Sequence, residues 1–215
     1  CSLISLLSAQ TITNYTTVDG LISNFVECID LDLDGKIWLG TSSVGVQMLD
    51  ENGDSLAVYD VANYPGMLSN NIKCIKAASN GEIWIGTDYG ANKLVSGVNG
   101  FMWLSYTTAN GLNSNKVYCI EEDNNGNIWL GLDDGIVKIN INSVFKYLPI
   151  KETNLNSKVL SVELFNNNLY VGTSTNIKKL VIDNDFKLKQ KFVNVAKTKI
   201  NTQVWSIYNN GTELL

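Results

Sequence analysis

The chain has 215 residues, of which 45% are apolar and 17% charged, a balance that places it among globular proteins able to bury a core and excludes a disordered chain. Its net charge of −5 and isoelectric point near 4.7 come without any basic run, so the electrostatic footprint of a nucleic-acid binder is absent. There is no histidine, which removes Ser-His-Asp and Cys-His nucleophile activation and histidine metal sites, and no apolar run reaches the length of a transmembrane helix.

The first ten residues, "CSLISLLSAQ", are apolar through Leu7, with small Ser8 and Ala9 before Gln10. They read as the tail of a secretory signal cleaved after Ala9, which makes residues 1–9 a processing segment and implies export to the periplasm, the cell surface or the medium. An ordinary first strand is the alternative, and a lipid-bearing Cys1 a third reading. Residues 11–17, "TITNYTT", then resemble an outer strand that would complete a blade begun elsewhere.

Two linked signatures follow and recur. "DGLISNFVECI" (19–29) returns as "PGMLSNNIKCI" (65–75), "NGLNSNKVYCI" (110–120) and "TNLNSKVLSV" (153–162). "DGKIWLGTSSVG" (34–45) returns as "NGEIWIGTDYG" (80–90), "NGNIWLGLDDG" (125–135) and "NNLYVGTSTN" (167–176). The aromatic positions Trp38, Trp84, Trp129 and Tyr170 define a period of about 45 residues. Periods of this size mark solenoids, propellers or arrays.

The stretch "DLDLDGKIWLG" (30–40) also opens like a calcium loop, with Asp30, Asp32 and Asp34 alternating into Gly35. An EF-hand loop closes with a bidentate glutamate at its twelfth position. Here that position is Thr41, no exit helix follows, and in the next copy Asp30 and Asp32 become Lys76 and Ala78. No metal site is expected.

Each repeat contains four short apolar runs separated by turn residues and no stretch of helical period, as in "FVECIDL", "KIWLGT", "GVQMLD" and "SLAVYD" of the first copy. This predicts an all-β β-propeller with four-stranded blades. The blades are expected at about 25–60, 72–107, 117–148 and 159–194, with the start of another at 202–215, so the propeller domain (10–215) is read as an incomplete ring within a longer protein. Gly40, Gly86, Gly131 and Gly172 are expected to allow close backbone approach, and the tryptophans to be packing residues rather than ligand platforms. Cys28, Cys74 and Cys119 share one repeat position, where later copies carry Ser161 and Ser206. Equivalent positions on successive blades exceed the Cα separation of about 7 Å that a disulfide permits, so they are read as small unpaired thiols.

The combined pattern "YTTVDGLISNFVECIDLDLDGKIWLGTSSVGVQMLD", repeated as "YTTANGLNSNKVYCIEEDNNGNIWLGLDDGIVKIN", resembles the two-component-regulator propeller repeat over residues 11 to about 180. The resemblance implies an exported, non-catalytic sensor module of a Bacteroidetes-type two-component protein. In such proteins periplasmic propellers precede a transmembrane helix and a histidine kinase or DNA-binding regulator, and many sense carbohydrate breakdown products. It also implies remaining blades in the same chain and a homodimeric signalling parent. Similar repeats in secreted proteins with a C-terminal sorting domain supply the alternative, a surface interaction or adhesion protein. A propeller glycoside hydrolase or lyase is the third, for which Glu27, Asp88, Asp133 and Asp134 are the carboxylates available, without any catalytic spacing.

A small-molecule or oligosaccharide ligand would sit on loops held by the rigid scaffold. The loops between second and third strands carry Ser42 and Ser43, Asp88 and Tyr89, Asp133 and Asp134, and Thr175 and Asn176. A second set, Glu27, Lys73, Tyr118, Leu160 and Trp205, occupies one varied position in an otherwise constant strand at the same mouth. Solvated turns and neutral drift are the plain alternatives for the two sets. No cofactor is expected.

Overall fold

The computed structural model describes residues 14–97, 100–140, 142–149, 158–165, 168–174, 177–182, 188–194 and 207. They form four four-stranded antiparallel sheets, each with its strands in sequence order, arranged as blades of a β-propeller. The first blade is β1 (Val26–Leu31), β2 (Ile37–Thr41), β3 (Val46–Leu49) and β4 (Ser55–Tyr59). The second is β5 (Ile72–Ala77), β6 (Ile83–Thr87), β7 (Gly90–Gly97) and β8 (Gly100–Tyr106). The third is β9 (Val117–Glu122), β10 (Ile128–Leu132), β11 (Gly135–Ile139) and β12 (Phe145–Pro149). The fourth is β13 (Val159–Phe165), β14 (Asn168–Thr173), β15 (Ile177–Ile182) and β16 (Leu188–Asn194).

Of the proposed outer strand 11–17, residues 11–13 lie outside the described residues, 14–16 are irregular, and Thr17 opens a 3-10 turn, Thr17–Asp19. The signal segment 1–9 and the next blade start at 202–215 also lie outside them, apart from a buried Ile207.

The core lies between blades. Trp38, Val46 and Tyr59 of the first repeat pack against Met67, Ile72, Ile75, Ile83, Ile85 and Leu94 of the second. The same layer recurs between second and third blades around Trp84 and Val117, and between third and fourth around Trp129 and Val159. A strand covered on both faces has no solvent face to make polar, which is why "IWIG" and "IWLG" of β6 and β10 are buried throughout. Trp38, Trp84 and Trp129 are packing residues, each at most 4% exposed.

The glycine after each tryptophan is a point of close approach. A Cβ on Gly86 would lie 2.4 Å from Cys74 Sγ and 2.8 Å from Val117 Cγ1. Gly40 and Gly131 stand in the same relation to Cys28 and Ile72, and to Cys119 and Val159. Cys28, Cys74 and Cys119 are paired in register with these glycines and are free thiols. Burial pushes the Cys28 and Cys119 thiols up to about 12, and Cys74 well above its ordinary value.

Both repeated signatures have local causes. In "LISN", "MLSN" and "LNSN" the serine hydroxyl accepts the N–H two residues on: Ser23 from Phe25, Ser69 from Asn71 and Ser114 from Lys116. The asparagine Oδ1 ties the loop to the segment leaving the previous strand: Asn24 accepts from Thr17 (2.8 Å), Asn70 from Val61 (2.9 Å) and Asn115 from Thr108 (2.7 Å). Such side-chain bonds to backbone are what Ser and Asn supply in turns.

In the turn between first and second strands, Gly35, Gly81 and Gly126 adopt φ of 79°, 82° and 73°, a region that favours glycine. Asp32 closes its turn by accepting from the N–H groups of Asp34 (3.0 Å) and Lys36 (2.9 Å) and from Trp38 Nε1 (2.9 Å). Asp123 does the same for Asn125 (3.0 Å), Asn127 (2.9 Å) and Trp129 Nε1 (3.0 Å). Asp32 therefore serves backbone and indole, and Asp34 pairs with Lys36 Nζ at 3.0 Å. Asp30 reaches the neighbouring blade, its Oδ2 accepting from Ala77 N–H at 2.8 Å. Among the described residues no group of three potential ligands gathers for a metal.

Candidate functional site

The antiparallel register decides which loops share a face. Val26 pairs with Thr41, and Val46 with Tyr59, so the start of β1, the β2–β3 loop and the exit of β4 lie at one end of the blade. Ser42 N–H donates to Phe25 O (3.3 Å) and Gly45 N–H to Asn70 O (2.9 Å), binding the β2–β3 loop to loops that lead into first strands. The two sets of sequence candidates therefore meet at one mouth.

The varied position has a structural identity that a linear reading does not reveal. In every blade the pairing between first and second strands slips at it: Val26 pairs with Thr41 and Cys28 with Gly40, leaving Glu27 over. Lys73, Tyr118 and Leu160 are the corresponding extra residues. These are β-bulges, which bend a strand, leave one residue unpaired and re-aim its side chain. Freed from the ladder, the position tolerates acid, base, aromatic and aliphatic residues alike. Glu27 is exposed, Lys73 and Tyr118 are partly buried, and Leu160 turns into the core at 5% exposure. Trp205 lies outside the described residues, as do Thr175 and Asn176.

Folding joins the two sets. Lys73 Nζ lies 3.5 Å from Asp88 Oδ2, bringing the bulge of the second blade onto its β6–β7 loop. Asp133 accepts a hydrogen bond from Ser114 Oγ, and Lys116 Nζ lies 3.8 Å from its other oxygen. Lys158, entering the fourth blade, places its ammonium 5.2 Å from the centre of the Tyr118 ring, a cation–π contact. The loops are braced from below: Thr87 Oγ1 donates to Gly90 O (2.9 Å) and accepts from Tyr89 N–H (3.0 Å). Thr41 does the same for Gly45 and Val44. Tyr89 is thus a 63% exposed aromatic on a fixed loop.

Ser43 is exposed on its loop without joining these clusters. Asp134 is turned partly beneath the mouth, with Oδ1 buried and no hydrogen-bond partner there, while its carbonyl accepts from Tyr147 Oη at 2.8 Å. Burial raises its carboxyl above the usual range, Tyr147 opposes the shift and neighbouring Asp133 adds to it. Sequence reasoning missed Ser114, Lys116 and Lys158. The first two sit in the "NSNK" signature itself, so the signal was present but had been absorbed into the repeat.

Together these residues make a polar rim with alternating charge and two aromatic rings. Partly exposed ion pairs are worth about 1 kcal/mol or less, so a hydroxyl-rich ligand can exchange for them at little cost, while a preorganised ring offers a stacking face.

The repeat can now be compared with known proteins. Residues 66–89 and 111–134 match the family described as two component regulator propeller. The two matches fall in the second and third blades. Each match runs from the loop before a first strand to the loop between second and third strands (β6–β7 or β10–β11), so it spans a bulge, a Ser-Asn turn and an aromatic strand. No curated protein matches the sequence.

Among solved structures, the extracellular domain of BT3049, assigned as a hybrid two-component system of B. thetaiotaomicron, is 28% identical with a TM-score of 0.66. The match covers 78% of this chain and 23% of that one. The chain thus spans about a quarter of that domain's length. PorZ, a surface component of the type-IX secretion system of Porphyromonas gingivalis, is 17% identical with a TM-score of 0.62, over 93% of this chain and 31% of its own. A streptogramin B lyase is 22% identical with a TM-score of 0.59, over 76% and 53%. The last two likenesses are of fold alone.

Proposed function

We infer that the chain is part of the extracytoplasmic, ligand-recognising propeller of a two-component signalling protein, acting by binding rather than by catalysis. The observation that carries this is the 28% identity to the extracellular domain of BT3049 over 78% of the chain. The two family matches, at 66–89 and 111–134, lie in the repeats that carry the mouth.

The ligand is a small polar molecule or oligosaccharide seated over Tyr89, Tyr118 and the Lys73–Asp88 and Lys116–Asp133 pairs. Binding would bias a membrane-spanning parent between two states, which requires a difference in affinity between them. Calorimetric titration of the exported parent protein with a panel of oligosaccharides tests this, read beside the same titration of Tyr89→Ala and Asp88→Asn. A ligand whose affinity falls at least tenfold in both variants supports the reading. Binding that neither variant alters, or release of new reducing ends from the sugars, would sink it.

A further inference from the structure

The loop that enters each blade is fastened to that blade's own third strand in the first two copies but not in the third. Gln47 of β3, 1% exposed, accepts from Ile22 N–H (3.0 Å) and donates to Gly20 O (2.9 Å). Asn92 of β7, fully buried, does the same for Leu68 N–H (2.9 Å) and Gly66 O (2.9 Å). Both hold one register position, Gln47 opposite Leu39 and Asn92 opposite Ile85. In the third blade that position, opposite Leu130, is the fully buried Val137. A valine side chain neither donates nor accepts. Gly111 and Asn113, the counterparts of Gly66 and Leu68, therefore have no such clamp, and among the described residues no other side chain takes its place.

What holds the third loop lies at the mouth. The loop is bonded to itself, Thr107 O accepting from Asn110 and Leu112 N–H and Asn115 Oδ1 from Thr108 N–H. Leu112 anchors it in the apolar layer, as Met67 anchors its counterpart. Beyond Leu112, Ser114 Oγ donates to Asp133 on the β10–β11 loop, and Lys116 Nζ lies 3.8 Å from the other oxygen of that carboxylate, whose side chain is 29% exposed. Ser23 and Ser69, the counterparts of Ser114, are buried and accept from N–H groups of their own loops. Asp88, the counterpart of Asp133, is paired with Lys73 of β5. A buried amide thus secures the second blade's loop from below, and a partly exposed carboxylate secures the third blade's loop from the mouth side.

We propose that the segment Asn113–Lys116 is the moving part of the mouth, a flap latched by the Ser114–Asp133 hydrogen bond, while the second blade's entrance loop is a fixed wall. Local opening is drawn from segments with few buried contacts and solvent-exposed hydrogen bonds, and the latch is such a bond. Resting on the ligand-recognising reading of the mouth, the flap supplies its response: ligand hydroxyls that occupy the Asp133 carboxylate displace Ser114 and release the segment. That release acts on the joint between second and third blades. The loop runs from β8 to β9, and Gly111 lies against the Phe145 ring, itself 5.6 Å from Tyr106. A two-state element of this kind is what a ligand needs in order to bias a larger assembly.

Hydrogen exchange of the ligand-free natural full-length protein, read by mass spectrometry, tests the latch, with β10 reporting global opening. Asp133→Ala and Ser114→Ala should each raise exchange in 109–116 about tenfold or more relative to β10, the size set by one hydrogen bond to a charged group. Ser114→Ala leaves every charge in place, so it separates loss of the bond from loss of the acid. Asp88→Ala should leave 65–71 within about twofold. Asn92→Val, which gives the second blade the third blade's residue, should raise exchange there about tenfold. Unchanged exchange at 109–116 in both third-blade variants would overturn the proposal, as would a rise shared with β10, which makes the contact part of the scaffold. Opening of 65–71 by Asp88→Ala would overturn it too, because the two loops would then be held alike. No ligand enters these measurements, so a mouth that binds nothing sinks the recognition reading and leaves the latch standing.

Discussion

The second and third blades hold the same indole by different means. In the third, Asp123 in the turn accepts from Trp129 Nε1 at 3.0 Å, and Lys138 lies 3.5 Å from that carboxylate with its ammonium 5.0 Å from the ring centre. In the second, the turn position is Ala78, and the Trp84 indole donates instead to Glu82 at 3.2 Å. Lys93 lies 2.9 Å from Glu82 and 5.4 Å from the ring. The preserved unit is carboxylate, ammonium and indole, whichever residue supplies the carboxylate. That is why an aspartate-rich turn can imitate the start of a calcium loop in one copy and lose the aspartates in the next.

Removing the ring from either arrangement should have the largest effect. Trp84→Ala and Trp129→Ala each empty an interblade layer, and losses of about 3–5 kcal/mol are expected for such truncations. Urea midpoints should fall similarly for the two variants. A marked difference would mean that the surrounding clamp, not the buried ring, carries the stability.

Next in size is the carboxylate itself. Asp123→Ala strands the indole N–H, two backbone N–H groups and the Lys138 ammonium, and should cost about 2–3 kcal/mol. Glu82→Ala should cost less, about 1–2 kcal/mol, because the Glu82 carboxylate accepts from the Trp84 indole and Lys93 and from no turn N–H. The pair then gives a rescue: adding Ala78→Asp to Glu82→Ala rebuilds the third blade's arrangement in the second and should recover at least half of the loss. Failure of that rescue, by urea denaturation, would break the equivalence of the two blades.

Acid sharpens the same contrast. The Asp123 carboxyl is opposed by burial but held below the ordinary value of 3.8 by the Trp129 indole and by Asn127 and Asn125. A depressed carboxylate contributes stability that is full above its unfolded value and lost as pH falls through its folded one. Stability should therefore decline below about pH 4. Asp123→Asn should show a smaller difference between urea midpoints at pH 7 and pH 3, though not a vanishing one, because Asp50 and Asp60 are also held low by turn N–H groups.

Much of this architecture could be read from the chain because its causes are local. Glycine after a turn Asp or Asn, a buried aromatic three residues later and a Ser-Asn pair before the first strand recur in register in the first three blades, and together they set period and blade. What stayed hidden needed pairing across strands. Glu27, Lys73, Tyr118 and Leu160 stand out as a varied column, but they are recognisable as bulges only once Val26 is seen opposite Thr41 and Cys28 opposite Gly40. The Lys73–Asp88 pair likewise depends on a hairpin that folds the β6–β7 loop back beside β5. The bond from Asp32 to Trp38 was within reach: aspartate six residues before tryptophan recurs at Asp123 and Trp129, and where Ala78 breaks the pattern Glu82 appears.

The smallest effect on stability is expected at the mouth, and its smallness is the point. Tyr89 is largely exposed on a loop fixed by Thr87 and Gly90 rather than by its own ring, so Tyr89→Ala should change stability by about 0.5 kcal/mol or less. Thr87→Ala removes the brace beneath the same loop and should cost about 1–2 kcal/mol. If the ring serves recognition, Tyr89→Ala weakens ligand binding at full stability, whereas Thr87→Ala weakens both together. Parallel losses of stability in the two variants would instead assign Tyr89 to the scaffold.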